Sequence, residues 1–458
     1  MRLLALAGLI GLSSALLTTP AAADPAPGGP REHHGTIDGA EYLVKVPRHW
    51  NGTLVLFSHG YYPEAWPPPP GYVALSTADS TADQLLADGY ALAASNFRGV
   101  TGFAVEPALT DQIRLLDWFE RNIGHPRRTI SSGMSMGGGV AMLLAERNPH
   151  RIDGVLAQCS EFDMPGTWNV ALDINFGVRT LLTDGTTELV STTDPQASVG
   201  ALHAGIEQAL TSEQGLARLS LIAALGNIPG WNNAHEPMPT GLWDRIRAQA
   251  TWVDQAYVQG IGPAGRVDLE RRAGGNPSWN TGIDYRRQLA ISGQLDTVRA
   301  AYRASGADLE ADLAALNAAP RIAADPAAVR YMYRNTLPRG TTPAPVVTLH
   351  NPADGGAVAD QVRWYDAQTD DRQVRALWSD RGNHCAFSAA EEITALRVLE
   401  RRIDTGRWGD LRPARLNADA SRFGPAQHVV KDISTWVDKE MPPAFTSYEP
   451  DRFQRPSR

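Results

Sequence analysis

The sequence has no excess of positive charge. It contains 42 Lys and Arg residues against 50 Asp and Glu residues, which gives a formal net charge of -8. A protein that binds nucleic acid electrostatically needs a basic patch or stripe, so this balance argues against a nucleic-acid partner. We attribute the mild acidity to solubility. With 458 residues, 43% of them hydrophobic, the chain can bury a substantial core in one or two domains.

Long apolar runs are also scarce. Only the N-terminus carries one, and it is shorter than the roughly 20 residues that a membrane span needs. Arg2 supplies a positive start, residues 3–17 are apolar, and Pro20 precedes the small residues 21–23. This pattern predicts a signal peptide over residues 1–23, cleaved after Ala23, and therefore a secreted protein with no stable membrane association. The alternative is an N-terminal anchor that is not cleaved.

Cysteine is nearly absent, and the chain does not repeat itself at a fixed period. The two cysteines, Cys159 and Cys385, allow a single disulfide within the chain. In an exported protein two cysteines can pair, and oxidising surroundings preserve the bond.

Strand-like apolar runs alternate with helical patterns in two separate stretches. In the first, strands are predicted at residues 41–46, 53–58, 90–95, 129–132 and 152–158, and helices at 78–87, 107–123 and 138–147. In the second, strands are predicted at 345–350 and 373–379, and helices at 361–368 and 389–403. Such alternation predicts an α/β fold with a doubly wound, mostly parallel sheet.

The segment between these stretches has helical patterns, breaks rich in Gly and Pro, and no convincing strand series. The tail after about residue 405 is loop-rich, with one predicted helix near residues 426–437. The predicted organisation is a signal peptide (1–23), a first core part (35–160), a mainly helical cap (161–341), a second core part (342–405) and a C-terminal extension (406–458).

The strongest chemical signal is the motif Gly133-x-Ser135-x-Gly137. On its own this pattern is common, but here a predicted strand precedes it and a predicted helix follows it. That context is typical of a nucleophile elbow, in which a sharp turn exposes the serine above the sheet. The alternative is a glycine-rich loop with an ordinary serine.

A serine hydroxyl needs a base to become a good nucleophile. Asp354 follows the strand at 345–350, and His384 follows the strand at 373–379, which gives the chain order serine, acid, histidine. All three would lie at the carboxyl edge of one sheet, where open α/β folds bind ligands. His384 is the predicted general base and Asp354 its orienting acid. Asp360 and Asp380 are the rival acids.

An oxyanion hole requires backbone N–H groups aimed at the developing negative charge. Met136, directly after the predicted nucleophile, is one expected donor. The loop after the strand at 53–58 should supply the other, with Tyr61 as first candidate and Tyr62 as second. His59, in the same loop, is expected to be structural.

These pieces resemble the α/β-hydrolase superfamily, and more narrowly its secreted bacterial serine hydrolases with a large helical cap. The matching segments are LVLFSHG at 54–60, GMSMGG at 133–138, NPADGG at 351–356 and GNHCAFS at 382–388. The resemblance covers the core but not the cap or the tail. It therefore implies the α/β-hydrolase fold and a reaction type rather than a substrate.

The resemblance extends in part to the cysteines. Feruloyl esterases and tannases of this superfamily place a disulfide beside the nucleophile and the histidine, and Cys385 adjoins His384 here. Cys159 falls at the C-terminal end of its strand, on the same edge as the three catalytic candidates. A Cys159–Cys385 disulfide is therefore predicted to fasten the histidine loop to the sheet.

The predicted function is hydrolysis of a small-molecule or polymer carboxylic ester through an acyl-serine intermediate, with no metal and no organic cofactor. A peptidase or amidase, such as a proline-type aminopeptidase, is the first alternative, with Glu161 and Asp163 as possible ligands for a substrate amine. An inactive hydrolase fold used for binding is the second, and an acyltransferase would differ only in its acceptor. The tryptophans of the cap either form its core or line an apolar pocket.

Overall fold

The computed structural model describes residues 29–370 and 372–457. The predicted signal peptide, residues 1–23, lies outside the described residues. Among the helices of the described residues, none is both long enough and apolar enough to cross a membrane.

A nine-stranded sheet lies at the centre of the molecule, with the strand order β1-β2-β4-β3-β5-β6-β7-β8-β11. The strands are β1 (Arg31–Ile37), β2 (Ala40–Val46), β3 (Thr53–Ser58), β4 (Ala91–Ser95), β5 (Arg128–Met134), β6 (Gly154–Gln158), β7 (Val346–His350), β8 (Val374–Ser379) and β11 (Phe445–Thr446). From β4 to β8 all neighbours are parallel, whereas β1, β2 and β11 pair antiparallel. The predicted mostly parallel, doubly wound sheet is confirmed.

The central strands are apolar because helices cover both faces of the sheet. Every residue of β3 is buried, as expected of a parallel strand enclosed on two sides. The covering helices are α1 (Asp79–Ala87), α2 (Val105–Asn122), α3 (Met136–Arg147), α13 (Asp360–Asp366) and α14 (Ala389–Thr405). The last of them begins at a capping box, in which Ser388 and Glu391 each accept a backbone N–H of the other.

Between β6 and β7 the chain forms a helical insertion, residues 161–341, without a strand among its described residues. Its helices are α4 (Met164–Leu182), α5 (Pro195–Ala209), α6 (Glu213–Ala224), α7 (Leu242–Trp252), a π-helix (Val253–Gly260), α8 (Pro263–Ala273), α9 (Tyr285–Ala290), α10 (Leu295–Ser305), α11 (Leu309–Ala318) and α12 (Pro326–Asn335). Residues 164–178 of α4 are all buried, which is the pattern of a helix enclosed by others. The insertion therefore has an apolar core of its own.

The C-terminal part differs from the prediction. The helix predicted near residues 426–437 is wrong, because this stretch folds as a hairpin of β9 (Val429–Asp432) and β10 (Val437–Glu440) after α15 (Pro413–Ala420). The Asp432 carboxylate accepts the N–H groups of Ser434 and Thr435, both at 2.9 Å, and so favours a turn over a helix.

Neither edge strand of the sheet is predicted from the sequence. β1 begins at Arg31, upstream of the predicted start of the core at residue 35, and β11 comes from the C-terminal extension. β11 has only two residues and pairs with β8 through Phe445 and Ser379. A strand this short carries no periodicity of its own, so its sequence gives no signal.

Residues after β11 pack against the helical insertion, where a buried ion pair fixes them. Arg455 pairs with Asp173 of α4, and its second terminal nitrogen donates to Trp279 O at 2.7 Å. Asp173 also accepts from Tyr285 Oη at 3.0 Å and from Gln288 Nε2 at 3.1 Å. The tail of the chain is thus joined to the helical insertion by buried polar contacts.

We expect Arg455→Ala to lower the free energy of unfolding by about 3–5 kcal/mol, because it leaves the Asp173 carboxylate buried without its cation. Urea unfolding followed by circular dichroism measures this loss. Arg452→Ala removes an exposed arginine of the same segment and should change stability by less than about 0.5 kcal/mol. Equal stability of the two variants would show that the tail does not hold the insertion.

Candidate active site

Ser135 lies in a strained turn between β5 and α3. Its φ of 54° and ψ of -127° belong to a region that non-glycine residues rarely adopt. Hydrogen bonds hold the turn, since Ser135 N donates to Gln158 O at 2.9 Å and Ser135 O accepts from Gly138 N at 2.9 Å. Strain fixed in this way is typical of functional positions.

The glycines of the motif are required because the backbone approaches itself closely. A Cβ atom on Gly133 would lie 2.1 Å from Gly137 O, and one on Gly137 would lie 2.1 Å from Ser58 O. On Gly138 it would lie 2.4 Å from Ser160 Oγ. Side chains at these positions would push β3, β5 and α3 apart, so the motif is needed for the turn itself.

Asp354 and His384 form a hydrogen-bonded pair. His384 Nδ1 lies 2.8 Å from Asp354 Oδ2 and 2.9 Å from Oδ1. Asp354 Oδ1 also accepts the N–H groups of Gly356 at 2.9 Å and Ala357 at 2.8 Å. A Cβ on Gly356 would lie 2.9 Å from His384 Cγ, so the imidazole packs directly on this glycine. The carboxylate is therefore aimed at the histidine by its own loop, residues 351–357, which we call the acid loop.

Neither rival acid contacts His384. Asp360 is the first residue of α13, where its carboxylate accepts from Asn227 Nδ2 at 2.7 Å, and burial raises its pKa to about 6. Asp380 is exposed beyond β8, and its backbone N–H donates to Ala444 O at 2.8 Å. Asp354 is thus the acid that the fold brings to the histidine.

The histidine loop, residues 380–387, is held rigidly around His384. Asn383 and Cys385 on either side have positive φ values of 88° and 56°. Asn383 Oδ1 accepts from His384 N at 2.7 Å, and Asn383 Nδ2 donates to Ser434 Oγ at 2.9 Å. At the base of the loop, Arg381 and Glu391 form a buried ion pair with an N–O distance of 2.7 Å.

The structure contains the predicted Cys159–Cys385 disulfide, with 5.2 Å between the two Cα atoms. A ring nitrogen of His384 and both sulfur atoms lie within 4.8 Å of one another. Because both sulfurs are in the disulfide, they do not offer the thiolates that a metal would need. The bond instead joins the histidine loop to the end of β6.

The disulfide also relates His384 to Ser135. Cys159 directly follows Gln158, whose carbonyl accepts the Ser135 N–H, so the disulfide brings the residue after His384 to the end of β6, the strand next to β5. Among the hydrogen bonds of the described residues, none joins Ser135 Oγ to His384. Such bonds are often long in unliganded enzymes and shorten when substrate binds.

The loop after β3 passes directly over the serine. A Cβ on Gly60 would lie 3.3 Å from Ser135 Cβ, and Tyr61 and Tyr62 follow Gly60. Met136 begins α3, where the first N–H groups of a helix have no partner within the helix. Met136 and Gly60 therefore both lie next to Ser135, and the N–H groups of Tyr61 and Tyr62 remain the predicted second donors.

His59 is packed tightly within this loop, as expected of a structural residue. Its ring stacks between Phe97 and Tyr62, with centroid distances of 4.2 and 4.7 Å, and its Nδ1 lies 2.7 Å from Gly60 O. Burial lowers its pKa to about 4, so His59 is neutral at neutral pH.

Comparisons with known proteins identify the fold. The family described as the alpha/beta hydrolase fold matches residues 54–233, which include the turn at Ser135. The chain has the α/β-hydrolase fold. The o-phthalyl amidase of Xanthobacter agilis is 28% identical over 430 residues, which are 84% of this chain and 90% of that protein.

Solved structures of hydrolases also align with the chain, at low similarity. The feruloyl esterase B of Aspergillus oryzae has 13% identity and a TM-score of 0.39, with 81% of this chain and 79% of that one covered. The enol-lactonase of Burkholderia xenovorans has 14% identity and a TM-score of 0.35, with coverages of 81% and 98%.

Glu161 is a further ionisable group beside the serine. Its N–H lies 3.4 Å from Ser135 O, and its side chain is only partly exposed. Burial raises the pKa of Glu161 to about 7, against the opposing effect of His384, and Asp354 adds to the rise. The sequence indicated Glu161 only as one possible ligand for a substrate amine, because its pKa depends on burial in the folded chain and on His384 and Asp354, which are distant in sequence.

Asp163, the other residue named for such a role, is not available for it. Its carboxylate caps α4 by accepting from Gly166 N at 2.8 Å, and it also accepts the Ser457 N–H at 2.6 Å. Asp163 therefore fastens the tail to the helical insertion.

Two tryptophans of the insertion pack on the loops of the hydrolase core. The Trp252 ring lies 2.4 Å from where a Cβ on Gly355 would be, and the Trp231 ring lies 2.6 Å from the same position on Gly382. Trp252 Nε1 donates to Trp231 O at 3.3 Å. Trp252 therefore packs on the acid loop and Trp231 on the histidine loop. Trp168, in contrast, is part of the buried core between the insertion and the sheet.

The pKa of His384 depends on two carboxylates. Burial lowers it, but the charge and hydrogen bond of Asp354 and the charge of Glu161 outweigh burial, so the pKa lies above its ordinary value. We expect Glu161→Gln to lower this pKa, because it removes a negative charge that stabilises the imidazolium. Histidine NMR titration measures it, with the His384 signal assigned from its absence in His384→Gln.

The matched control is Glu64→Gln, which neutralises an exposed carboxylate that is not among the groups shifting the pKa of His384. It should leave the titration unchanged. An unchanged or raised pKa in Glu161→Gln would contradict the electrostatic coupling between Glu161 and His384.

The disulfide gives a second prediction. Replacing both Cys159 and Cys385 by Ser should lower the free energy of unfolding by about 2–4 kcal/mol, since the closed loop restricts the unfolded chain. Urea unfolding with and without reductant measures the change. Reductant should destabilise the natural protein and leave the double variant as it is, and a double variant as stable as the oxidised protein would refute the prediction.

Proposed function

We propose that this chain is a secreted serine hydrolase that cleaves a carboxylic ester through an acyl-serine intermediate. The observation that carries the proposal is the Asp354–His384 pair, at 2.8 Å, fastened beside the strained turn that presents Ser135. A strained nucleophile turn next to a base that is itself oriented by a carboxylate is the arrangement that acyl transfer requires.

In the proposed reaction, Ser135 Oγ attacks the ester carbonyl while His384 Nε2 takes the hydroxyl proton. Asp354 holds Nδ1–H, which leaves Nε2 as the basic nitrogen and stabilises the imidazolium that forms. The oxyanion is bound by the N–H groups of Met136 and Tyr61. His384 then returns the proton to the leaving alcohol, and water activated by the same histidine hydrolyses the acyl-enzyme.

The proposed pH dependence follows from the protonation of the base. His384 accepts a proton only in its neutral form, and Asp354 and Glu161 hold its pKa above the ordinary value. Activity therefore falls as the pH drops through this raised pKa, at a higher pH than for an unperturbed histidine.

Amide hydrolysis is a second candidate, favoured by the relative named o-phthalyl amidase. That similarity spans most of both proteins, and so includes residues of the helical insertion as well as the core. A phthalyl group carries a second carboxylate next to the bond to be cleaved. Glu161, whose pKa is about 7, is half protonated at neutral pH and could share its proton with that carboxylate.

Export is proposed from the N-terminal pattern at residues 1–23 and from the disulfide, because such bonds persist in oxidising compartments. The helical insertion, proposed as a cap, would then set the shape of the acyl site through Trp231 and Trp252.

The deciding experiment is hydrolysis of a matched panel by the purified mature protein. The panel contains p-nitrophenyl esters of rising acyl length, a feruloyl ester, an o-phthalyl amide with its para isomer, and the p-nitroanilides of proline and alanine. We expect ester turnover that Ser135→Ala reduces by about 10⁶-fold, as loss of a serine nucleophile does.

The control is Ser160→Ala, which removes the hydroxyl of a buried neighbouring serine that has no hydrogen-bond partner among the described residues. It should keep its activity. Turnover of the o-phthalyl amide but not of its para isomer would assign the second candidate, and turnover of the anilides alone would indicate an aminopeptidase. Equal activity of Ser135→Ala and the natural protein would exclude Ser135 as nucleophile.

A further inference from the structure

Glu161 places a carboxylate beside the proposed nucleophile. Its N–H lies 3.4 Å from Ser135 O, and a Cβ on Gly139 would lie 2.6 Å from its carbonyl oxygen. The backbone of Glu161 is therefore packed against the start of α3, next to Ser135. The charges of His384 and Asp354 both act on its carboxylate, so the side chain extends toward these two residues.

The Glu161 carboxylate opens onto free space. The residue is partly exposed, and its carboxylate makes neither a hydrogen bond nor an ion pair among the described residues. Neither of its oxygens is among the fully enclosed atoms that lack a partner. A group bound beside Ser135 can therefore reach this carboxylate, which accepts hydrogen bonds in its ionised form.

The helical insertion supplies a second group of this kind. Tyr257 lies in the π-helix, where its carbonyl accepts from Asn175 Nδ2 at 2.7 Å. The residue is only 1% exposed, yet its hydroxyl makes no hydrogen bond among the described residues and is not a fully enclosed atom. The hydroxyl therefore ends at free space rather than within the packed core. π-Helical turns are frequent at functional sites.

Glu161 and Tyr257 lie near each other at the catalytic candidates. Of the charges that act on Tyr257, that of Glu161 has the largest effect, and that of Asp354 comes next. Burial and these charges raise the pKa of Tyr257, so its hydroxyl stays protonated and is a donor. Glu161 offers the acceptor. A donor and an acceptor at one space are complementary to a hydroxyl, which both accepts and donates.

The charges of the site favour such a neutral group over an ion. No Lys or Arg of the described residues is among the groups that shift the pKa of His384, Glu161 or Tyr257. An anionic group would lie beside two carboxylates, so it binds only where Glu161 is protonated. An ammonium group would satisfy Glu161 but leave the hydroxyl hydrogen of Tyr257 without an acceptor.

We propose that Glu161 and Tyr257 are specificity-determining residues, which select a substrate whose acyl group carries a hydroxyl near the scissile carbonyl. Tyr257 Oη donates to the substrate hydroxyl, and that hydroxyl donates to the Glu161 carboxylate. The inference rests on the proposed ester hydrolysis and adds the class of acyl group. A site that hydrogen-bonds a substrate hydroxyl rejects the analogue that lacks it, because its own polar groups are then left unpaired.

The test compares kcat/KM within matched pairs of methyl esters, measured by pH-stat titration. The pairs are methyl lactate with methyl propionate, methyl 3-hydroxybutyrate with methyl butyrate, and methyl salicylate with methyl benzoate. We expect the natural protein to prefer the hydroxylated member of at least one pair about a hundredfold, the effect of two hydrogen bonds of which one is charge-assisted. Equal kcat/KM within every pair would overturn the inference.

Variants assign this preference to the two residues. Glu161→Gln and Tyr257→Phe should each reduce it about tenfold, and the double variant should abolish it. The matched controls are Glu64→Gln and Tyr72→Phe, which alter an exposed carboxylate and an exposed phenol and should keep the natural preference. Melting temperatures show that each variant is folded. A preference that survives undiminished in the double variant would contradict the assignment.

Isothermal titration calorimetry of the six esters with Ser135→Ala separates the inference from the reaction. Tighter binding of the hydroxylated member, lost when Glu161→Gln and Tyr257→Phe are added, supports the hydroxyl site even if the natural protein hydrolyses none of the esters. In that case only the proposed ester hydrolysis is wrong. If no ester is hydrolysed and Ser135→Ala binds both members of each pair equally or not at all, the inference is overturned.

Monomethyl phthalate, which carries a carboxylate in place of the hydroxyl, tests the anionic alternative. We expect it to be hydrolysed with a lower kcat/KM than the preferred hydroxylated ester. A higher kcat/KM for monomethyl phthalate than for every hydroxylated ester would overturn the inference in favour of a carboxylate held by protonated Glu161.

Discussion

The reversal of the chain at Ser135 is the constraint on which the site depends. The backbone can turn this sharply only where Gly133 and Gly137 approach neighbouring carbonyl groups to distances that no side chain allows. Once the turn is made, Ser135 O and N are bonded to α3 and β6, and the serine is fixed above the sheet. Asp354 and His384 then need only to lie at the carboxyl edge of the same sheet, and they do so because the strands that precede them are parallel to β5.

The histidine is held by several independent restraints. Asp354 bonds to its ring, Asn383 to its backbone, and the disulfide joins the next residue to β6. The Arg381–Glu391 pair adds an anchor to α14 at the base of the loop. The proposed general base must keep its orientation relative to the proposed nucleophile, and restraints from a strand, a helix and a neighbouring loop fix that orientation more firmly than one contact could.

The elements that carry local signals could be predicted from the sequence. Apolar runs such as Thr53–Ser58 and the glycines around Ser135 can be recognised within a short segment of sequence. Asp354 and His384 could be located because each follows a strand. Elements whose stability comes from distant partners could not be predicted in this way. β11 exists only through its pairing with β8, and the hairpin at 429–440 forms where a helix is predicted. The pKa of Glu161 depends on burial in the folded chain and on His384 and Asp354, which are distant in sequence.

The Arg455–Asp173 pair has a consequence for the order in which the protein can be completed. Arg455 follows Asp173 by 282 positions, so it is synthesised long after Asp173. Until Arg455 has been made, the Asp173 carboxylate lacks the cation with which it is buried in the folded protein. This contact between the tail and the helical insertion can therefore form only after every residue of the turn at Ser135 has been synthesised.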